Sequence, residues 1–142
     1  MKIEILHNIM QTYSAMCKPL CKEIGIPQTA FDILMFLANN PEFDTARDIV
    51  KIRFIKANLV SIHVESLVRE GYLVRERSPG DRRKVRLVCT EKARPVVERG
   101  RCLQNRFFKE IFKNVDERQK EDFFQVLHIL EDNMKEMQKG LD

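Results

Sequence analysis

Apolar residues recur at steps of three and four along most of this chain, and the pattern changes to alternation only once. From Ile3 to about Lys22 the residues Leu6, Ile9, Met10, Tyr13, Met16, Cys17, Leu20 and Cys21 follow the period of one helix face. Pro19 falls inside that run. It deletes one backbone hydrogen bond and predicts a kink or an early end near residue 18. Gly25 and Pro27 mark a break, and Phe31, Leu34, Met35, Leu37 and Ala38 then predict a second helix that is largely buried and ends at Asn39-Asn40-Pro41. Asp44 or Thr45 can cap a short third helix through Ile49 and Val50, with the turn between Lys51 and Ile55. A fourth helix is predicted from about Lys56 to Glu70, with Leu59, Val60, Val64, Leu67 and Val68 inward and Lys56, Asn58, Ser61, Ile62 and Glu65 outward. Gly71 supplies the left-handed residue that stops it.

Tyr72–Arg77 and Lys84–Cys89 alternate, with Val85, Leu87 and Cys89 on one side of the second run and Lys84, Arg86 and Val88 on the other. A Pro-Gly-Asp turn joins the two runs into a β-hairpin. Thr90 is placed to cap a long fifth helix to about Asn114, carrying Val96, Val97, Leu103, Phe107, Ile111 and Phe112. Asp116 and Gln119 have the spacing of a capping box for a sixth helix. There Phe123, Leu127, Leu130, Met134, Met137 and Leu141 form a seam of the kind that meets another helix. The fold class is mainly α with a small β-hairpin wing, a helix-turn-helix running into that wing.

Charge sharpens the picture. The window Arg47–Arg86 holds eleven basic residues against five acidic ones, a surplus of six, whereas the whole chain carries a net charge of only +4. The remainder is therefore slightly acidic, and the positive charge is gathered into one segment. Localised basicity is the footprint of a phosphate-binding surface. With 142 residues and 44% apolar content the chain fits one domain. No apolar run reaches the length of a membrane span, and the polar start at Lys2, Glu4, His7 and Asn8 does not read as a secretory peptide. A cytoplasmic location with no membrane partner is expected, and the four cysteines read as reduced thiols. An enzyme is not expected: there is no glycine-rich phosphate loop, no nucleophile elbow and no spacing that assembles a triad. No catalytic residue, cofactor or metal site is expected, since His7, His63 and His128 lack metal-ligand spacing. His63, in step with Val60 and Leu67, reads as a packed histidine.

Three stretches resemble the MarR family of bacterial winged-helix regulators: Leu67-Val68-Arg69-Glu70-Gly71-Tyr72-Leu73-Val74-Arg75, then Asp81-Arg82-Arg83, then Leu87-Val88-Cys89-Thr90. The likeness extends over nearly the whole chain. It implies a single MarR-like domain over 1–142, with a winged-helix DNA-binding lobe at about 28–89 and a helical dimerisation region at about 1–26 and 90–142. It also implies a homodimer whose first, fifth and sixth helices interlock. Such a dimer sets two recognition helices in successive major grooves, roughly 34 Å apart, on a pseudo-palindromic double-stranded operator. Pro27 and Gln28 stand where the family often has a capping threonine, and Ile62 where it often has a polar or basic residue, which implies thinner base reading.

The expected DNA-binding residues are Lys56, Asn58 and Ser61 on the recognition helix and Asp81, Arg82, Arg83 and Lys84 at the wing tip, with Arg86 able to add a backbone contact. By analogy with the family, Arg83 reaches the DNA while Asp81 braces it through a charge-assisted hydrogen bond. The function this implies is a transcription regulator, a repressor released by a small-molecule effector or an oxidant. Two alternatives stay open: an adaptor whose basic wing takes acidic protein partners, and a redox sensor using Cys17 and Cys21, whose neighbours Lys18 and Lys22 would lower the thiol pKa. The phenylalanines at 107, 108, 112, 123 and 124 read as core and dimer packing or as the lining of an effector pocket.

Overall fold

The computed structural model describes residues 4–141 and divides into two units, residues 1–107 and 108–142, the boundary falling in the last turn of a helix. The expected helix start at Ile3 lies outside the described residues. In order, the elements are α1 (Glu4–Ile24), α2 (Gln28–Asn39), α3 (Ala46–Arg53), α4 (Ala57–Arg69), β1 (Leu73–Ser78), β2 (Asp81–Cys89), a single 3-10 turn (Glu91–Ala93), α5 (Arg94–Ile111) and α6 (Glu117–Lys139). The protein is mainly helical with one two-stranded antiparallel hairpin. No described helix is long and apolar enough to cross a membrane.

In the first unit α2 is the element around which the others pack. Ala30, Phe31 and the unbroken run Ile33–Leu37 are buried, so nearly every side of the helix is covered, as expected of a helix without a polar face. Pro27 precedes it with no side-chain cap. The fully buried Ile49 of α3, Val60 and Leu67 of α4 and Leu73 of β1 belong to the same core. Helix α5 contributes Val96, Val97 and Leu103. Gly100 brings its backbone close to α2: a Cβ there would lie 3.1 Å from Phe31 Cζ and would collide with Met35.

Pro19 does not end α1, so of the kink or early end expected there the early end does not occur. The helix continues to Ile24 because only one amide is lost, while Leu20 and Cys21, just beyond, are buried and hold the last turn in place. It stops at Gly25, whose φ of +80° lets its amide reach the Cys21 carbonyl at 2.8 Å. Thr45, not Asp44, caps α3: Asp48 N–H donates to Thr45 Oγ1 and Thr45 N–H to Asp48 Oδ2, both at 3.1 Å, a reciprocal box at the start of a helix that runs to Arg53. The turn is therefore confined to Phe54, Ile55 and Lys56, with Phe54 in the left-handed region at φ +55°.

Helix α4 ends as its sequence predicts. Gly71 at φ +84° donates to the Val68 carbonyl and Tyr72 to the Leu67 carbonyl, the paired bonds of a Schellman motif. Leu59, expected inward, is 40% exposed, because the buried stripe of this helix is Val60, Val64 and Leu67 and residue 59 falls off it. Thr90 does not cap a helix either. Its hydroxyl donates to the Gly71 carbonyl at 2.6 Å and its amide to the Tyr72 carbonyl, which ties the end of the hairpin to its beginning; a 3-10 turn then leads into α5.

In the second unit, Gln119 N–H donates to Asp116 Oδ1 at 2.8 Å and Asp116 N–H to Gln119 Oε1 at 3.0 Å, the expected capping box at the start of α6. Phe108, Phe112, Phe123 and Phe124 form a cluster with ring centroids 4.6–6.0 Å apart. No residue of α6 is buried, and its seam of Leu127, Leu130, Met134 and Met137 is exposed, as is Leu141 beyond it.

Candidate nucleic-acid interface

The hairpin carries a feature invisible in the sequence. Its strands pair in register from Leu73 opposite Cys89 to Arg77 opposite Val85, but the next pair is Ser78 with Asp81. Arg82, Arg83 and Lys84 therefore have no partners on β1 and form a bulge just after the Pro79-Gly80 turn, where Gly80 takes a φ of +91°. Bulges re-aim side chains away from the sheet. Asp81 stabilises this one, its Oδ1 accepting from the Arg83 backbone N–H at 3.0 Å. The bond goes to the main chain of Arg83 and leaves the guanidinium to solvent. All four residues, Asp81, Arg82, Arg83 and Lys84, are exposed.

The neighbouring arginines are differently placed. Arg86 Nε donates to Asp44 Oδ2 at 2.6 Å, and the Asp44 carboxylate keeps only 14% of its side-chain surface. That hydrogen bond pushes the Arg86 guanidinium further up from an already high pKa. Arg86 thus fastens the hairpin to the segment before α3 through its Nε, reinforced by Leu87 N–H donating to the Asp44 carbonyl at 2.7 Å, while 39% of its side chain stays exposed. Arg75 pairs with Glu65 of α4 at 2.8 Å. Among the described residues, no ion pair engages Lys56, Arg82, Arg83 or Lys84.

Helix α4 presents Lys56, at its amino-terminal cap, and Asn58 and Ser61 in its first turns, all exposed. Ile62, 60% exposed, lies on the side of the helix opposite the buried stripe. His63 is half-buried, the packed position its spacing suggests. The sequence-predicted residues thus fall on two surfaces of one unit, the outward face of α4 and the bulged wing tip. Sequence reasoning missed the bulge and the Asp44–Arg86 pair. The second joins residues 42 positions apart, for which no local signal exists.

Cys17 and Cys21 are not on this surface. They are 0% and 6% exposed, and burial raises both thiols, Cys21 to about 11, the opposite of the lowering expected from Lys18 and Lys22, whose side chains stand exposed away from the core. At pH 8 we expect Cys21 to alkylate about a hundredfold more slowly in the folded protein than in denaturant, and Cys17 to be slowed as well, since the thiolate is the reactive form. Mass-resolved labelling with iodoacetamide checks this, and equal rates in the two states would contradict the burial. Among the described residues, no group of three or more histidine, cysteine, aspartate or glutamate side chains is placed to hold a metal ion.

Residues 24–84, which span the second helix to the wing bulge, match the sequence model of the MarR family. Over that segment the chain is similar to the MarR family. Solved structures extend the likeness over the rest of the chain. The transcriptional regulator PA3341 superposes with a TM-score of 0.82 at 19% identity, covering 94% of this chain and 97% of its own. A MarR transcriptional regulator from Methanosarcina mazei Go1 gives 0.76 at 21%, covering 94% and 96%. A MarR family regulator from Listeria monocytogenes, solved with a 26mer DNA, gives 0.82 at 15%, covering 94% and 89%. At these identities the likeness speaks for the fold, which is that of MarR winged-helix structures. No curated protein matches the sequence.

Proposed function

We propose that the protein is a homodimeric transcription regulator that binds double-stranded DNA, with α4 of each subunit in the major groove and the wing bulge against the adjacent backbone. The observation that carries this reading is the different fate of neighbouring cations. Arg75 and Arg86 are tied to carboxylates, while Arg82, Arg83 and Lys84 are displayed by a bulge beside a helix whose exposed start holds Lys56, Asn58 and Ser61. Cations held outward without counter-charges suit a polyanion, and release of the DNA's condensed counterions drives such binding. The Listeria monocytogenes regulator of the same fold, solved with DNA, supports the reading. In this arrangement residues of about 28–89 form the DNA-binding lobe, and those of about 1–26 and 90–142 the dimerisation region. The exposed seam of α6 and the exposed Ile5, Leu6, Ile9 and Met10 at the start of α1 each supply apolar surface for a second copy. Two lobes related by a two-fold axis ask for a pseudo-palindromic operator with half-sites roughly 34 Å apart.

The regulator acts as a repressor that a small molecule releases by changing the separation of the lobes. A cavity of about 580 Å³ between α1 and α5, lined by Met16, Leu20, Arg99, Cys102, Leu103 and Arg106, has the size and mixed lining of an effector site. Release by oxidation of Cys17 and Cys21 has less support, because both thiols are buried and raised. The test is selection from a random-sequence duplex pool followed by anisotropy titration. An enriched two-fold symmetric sequence, bound by two chains per duplex, is expected. No enrichment would overturn the DNA reading, and would leave an adaptor for acidic protein partners as the alternative for the wing.

A further inference from the structure

The outward face of α4 has an aliphatic side chain at its centre. Residues 60, 64 and 67 form the buried stripe, and at 3.6 residues per turn Ile62 and Arg69 are the positions that lie almost directly opposite it. Ile62 is 60% exposed; Asn58, Glu65 and Arg69 on the same face are exposed and polar, and Leu59, three residues earlier and 40% exposed, flanks it. Ile62 with a half-exposed Leu59 at its flank, bordered by polar residues, is too small a surface for protein docking, which needs a larger contiguous apolar patch. It is also costly to press against a base edge that offers only donors and acceptors, since each would lose a water partner and gain none. The one apolar group on the floor of the major groove is the C5-methyl of thymine. Lys56 at the helix start and the Arg82-Arg83-Lys84 bulge supply the positive charge that would seat this face on a duplex.

We propose that Ile62 is a specificity-determining residue that selects thymine by packing on its C5-methyl group. This rests on the DNA-binding reading above. Asn58, one turn earlier, has the amide suited to an adjacent adenine edge, so each half-site contains an A·T-rich core read jointly by hydrogen bond and methyl contact.

The experiment uses the duplex selected by the full-length protein from the random pool, and a set of duplexes in which each thymine in turn is replaced by deoxyuridine, which lacks only the methyl group. Wild type is expected to lose about fourfold in affinity at one thymine per half-site, and about fifteenfold when both symmetric positions are replaced, from roughly one buried methyl each. Ile62→Ala is expected to bind the thymine and deoxyuridine duplexes equally, while Ser66→Ala, on the flank of the same helix, retains the methyl dependence. Because Ile62 is outside the core, Ile62→Ala should keep the wild-type unfolding midpoint, which is measured alongside. Wild-type binding that is unaffected by deoxyuridine at every position would overturn the thymine contact and leave DNA binding intact. A methyl dependence that persists unchanged in Ile62→Ala would assign it to another residue or to duplex shape, and would equally overturn it. If the pool yields no enriched duplex, both readings fall together.

Discussion

Duplex affinity is expected to fall about 10⁴-fold when monovalent salt is raised from about 50 to about 200 mM. In the proposed dimer, Lys56, Arg82, Arg83 and Lys84 of each subunit would place about eight cations on the duplex, for a log–log slope of about −7 at roughly 0.9 per neutralised phosphate. Each is exposed and outside every ion pair among the described residues, so none gives up an internal partner on binding. Arg83→Ala removes two of these contacts per dimer and is expected to make the slope shallower by about two, with weaker binding to selected and unselected duplexes alike. Arg75→Ala is the informative contrast. Its guanidinium is engaged by Glu65 at 2.8 Å, so its removal is expected to leave the slope near the wild-type value. Anisotropy titrations at four or more salt concentrations read the difference. A shallow wild-type slope, or equal slopes for wild type and Arg83→Ala, would remove the wing bulge from the interface.

The parts of this architecture written in the sequence are those decided by neighbours a few residues apart. The Asp116/Gln119 capping box, the left-handed Gly71 that ends α4 and the inward stripe of Val60, Val64 and Leu67 all depend on spacings of one helical turn or less, and each stands as its spacing predicts. Thr90 shows where that logic stops. Its type and position suit a helix cap, but the chain returns Gly71 to within 2.6 Å of its hydroxyl, and a tertiary partner displaces the local one. Pro19 shows the same competition in reverse: a local breaker is overridden because residues just after it are buried. In the candidate interface, the identities of Arg82, Arg83 and Lys84 were plain from charge and turn residues. Their display was not, because a register shift depends on how two strands align, which alternation alone leaves free by one or more residues. The ion pair of Arg86 was hidden because its partner Asp44 is distant in sequence and brought near by the fold.

Two phenylalanines separate core from surface in a way stability measurements will show. Phe31 is 0% exposed in α2, with the backbone of α5 at Gly100 so close that a Cβ there would meet the ring at 3.1 Å. Phe31→Ala is expected to cost about 3–5 kcal/mol, because the transfer energy of the ring is lost and the two helices cannot close over the space it leaves. For a domain of this size that lowers the unfolding midpoint by roughly 10 °C or more, a large share of a stability of about 5–15 kcal/mol. Phe54 is 90% exposed at the turn between α3 and α4 and holds a φ of +55°, a conformation that burdens any residue with a side chain. Phe54→Ala therefore stays within about 0.5 kcal/mol of wild type, and Phe54→Gly is expected to stabilise by up to about 1 kcal/mol through relief of that backbone strain. Urea unfolding monitored by circular dichroism, at one fixed chain concentration because the stability of the proposed dimer would depend on it, measures all three. A loss below about 1 kcal/mol for Phe31→Ala would show that α2 is not the centre of the core, and the placement of α4 and the wing that α2 supports would then need another explanation.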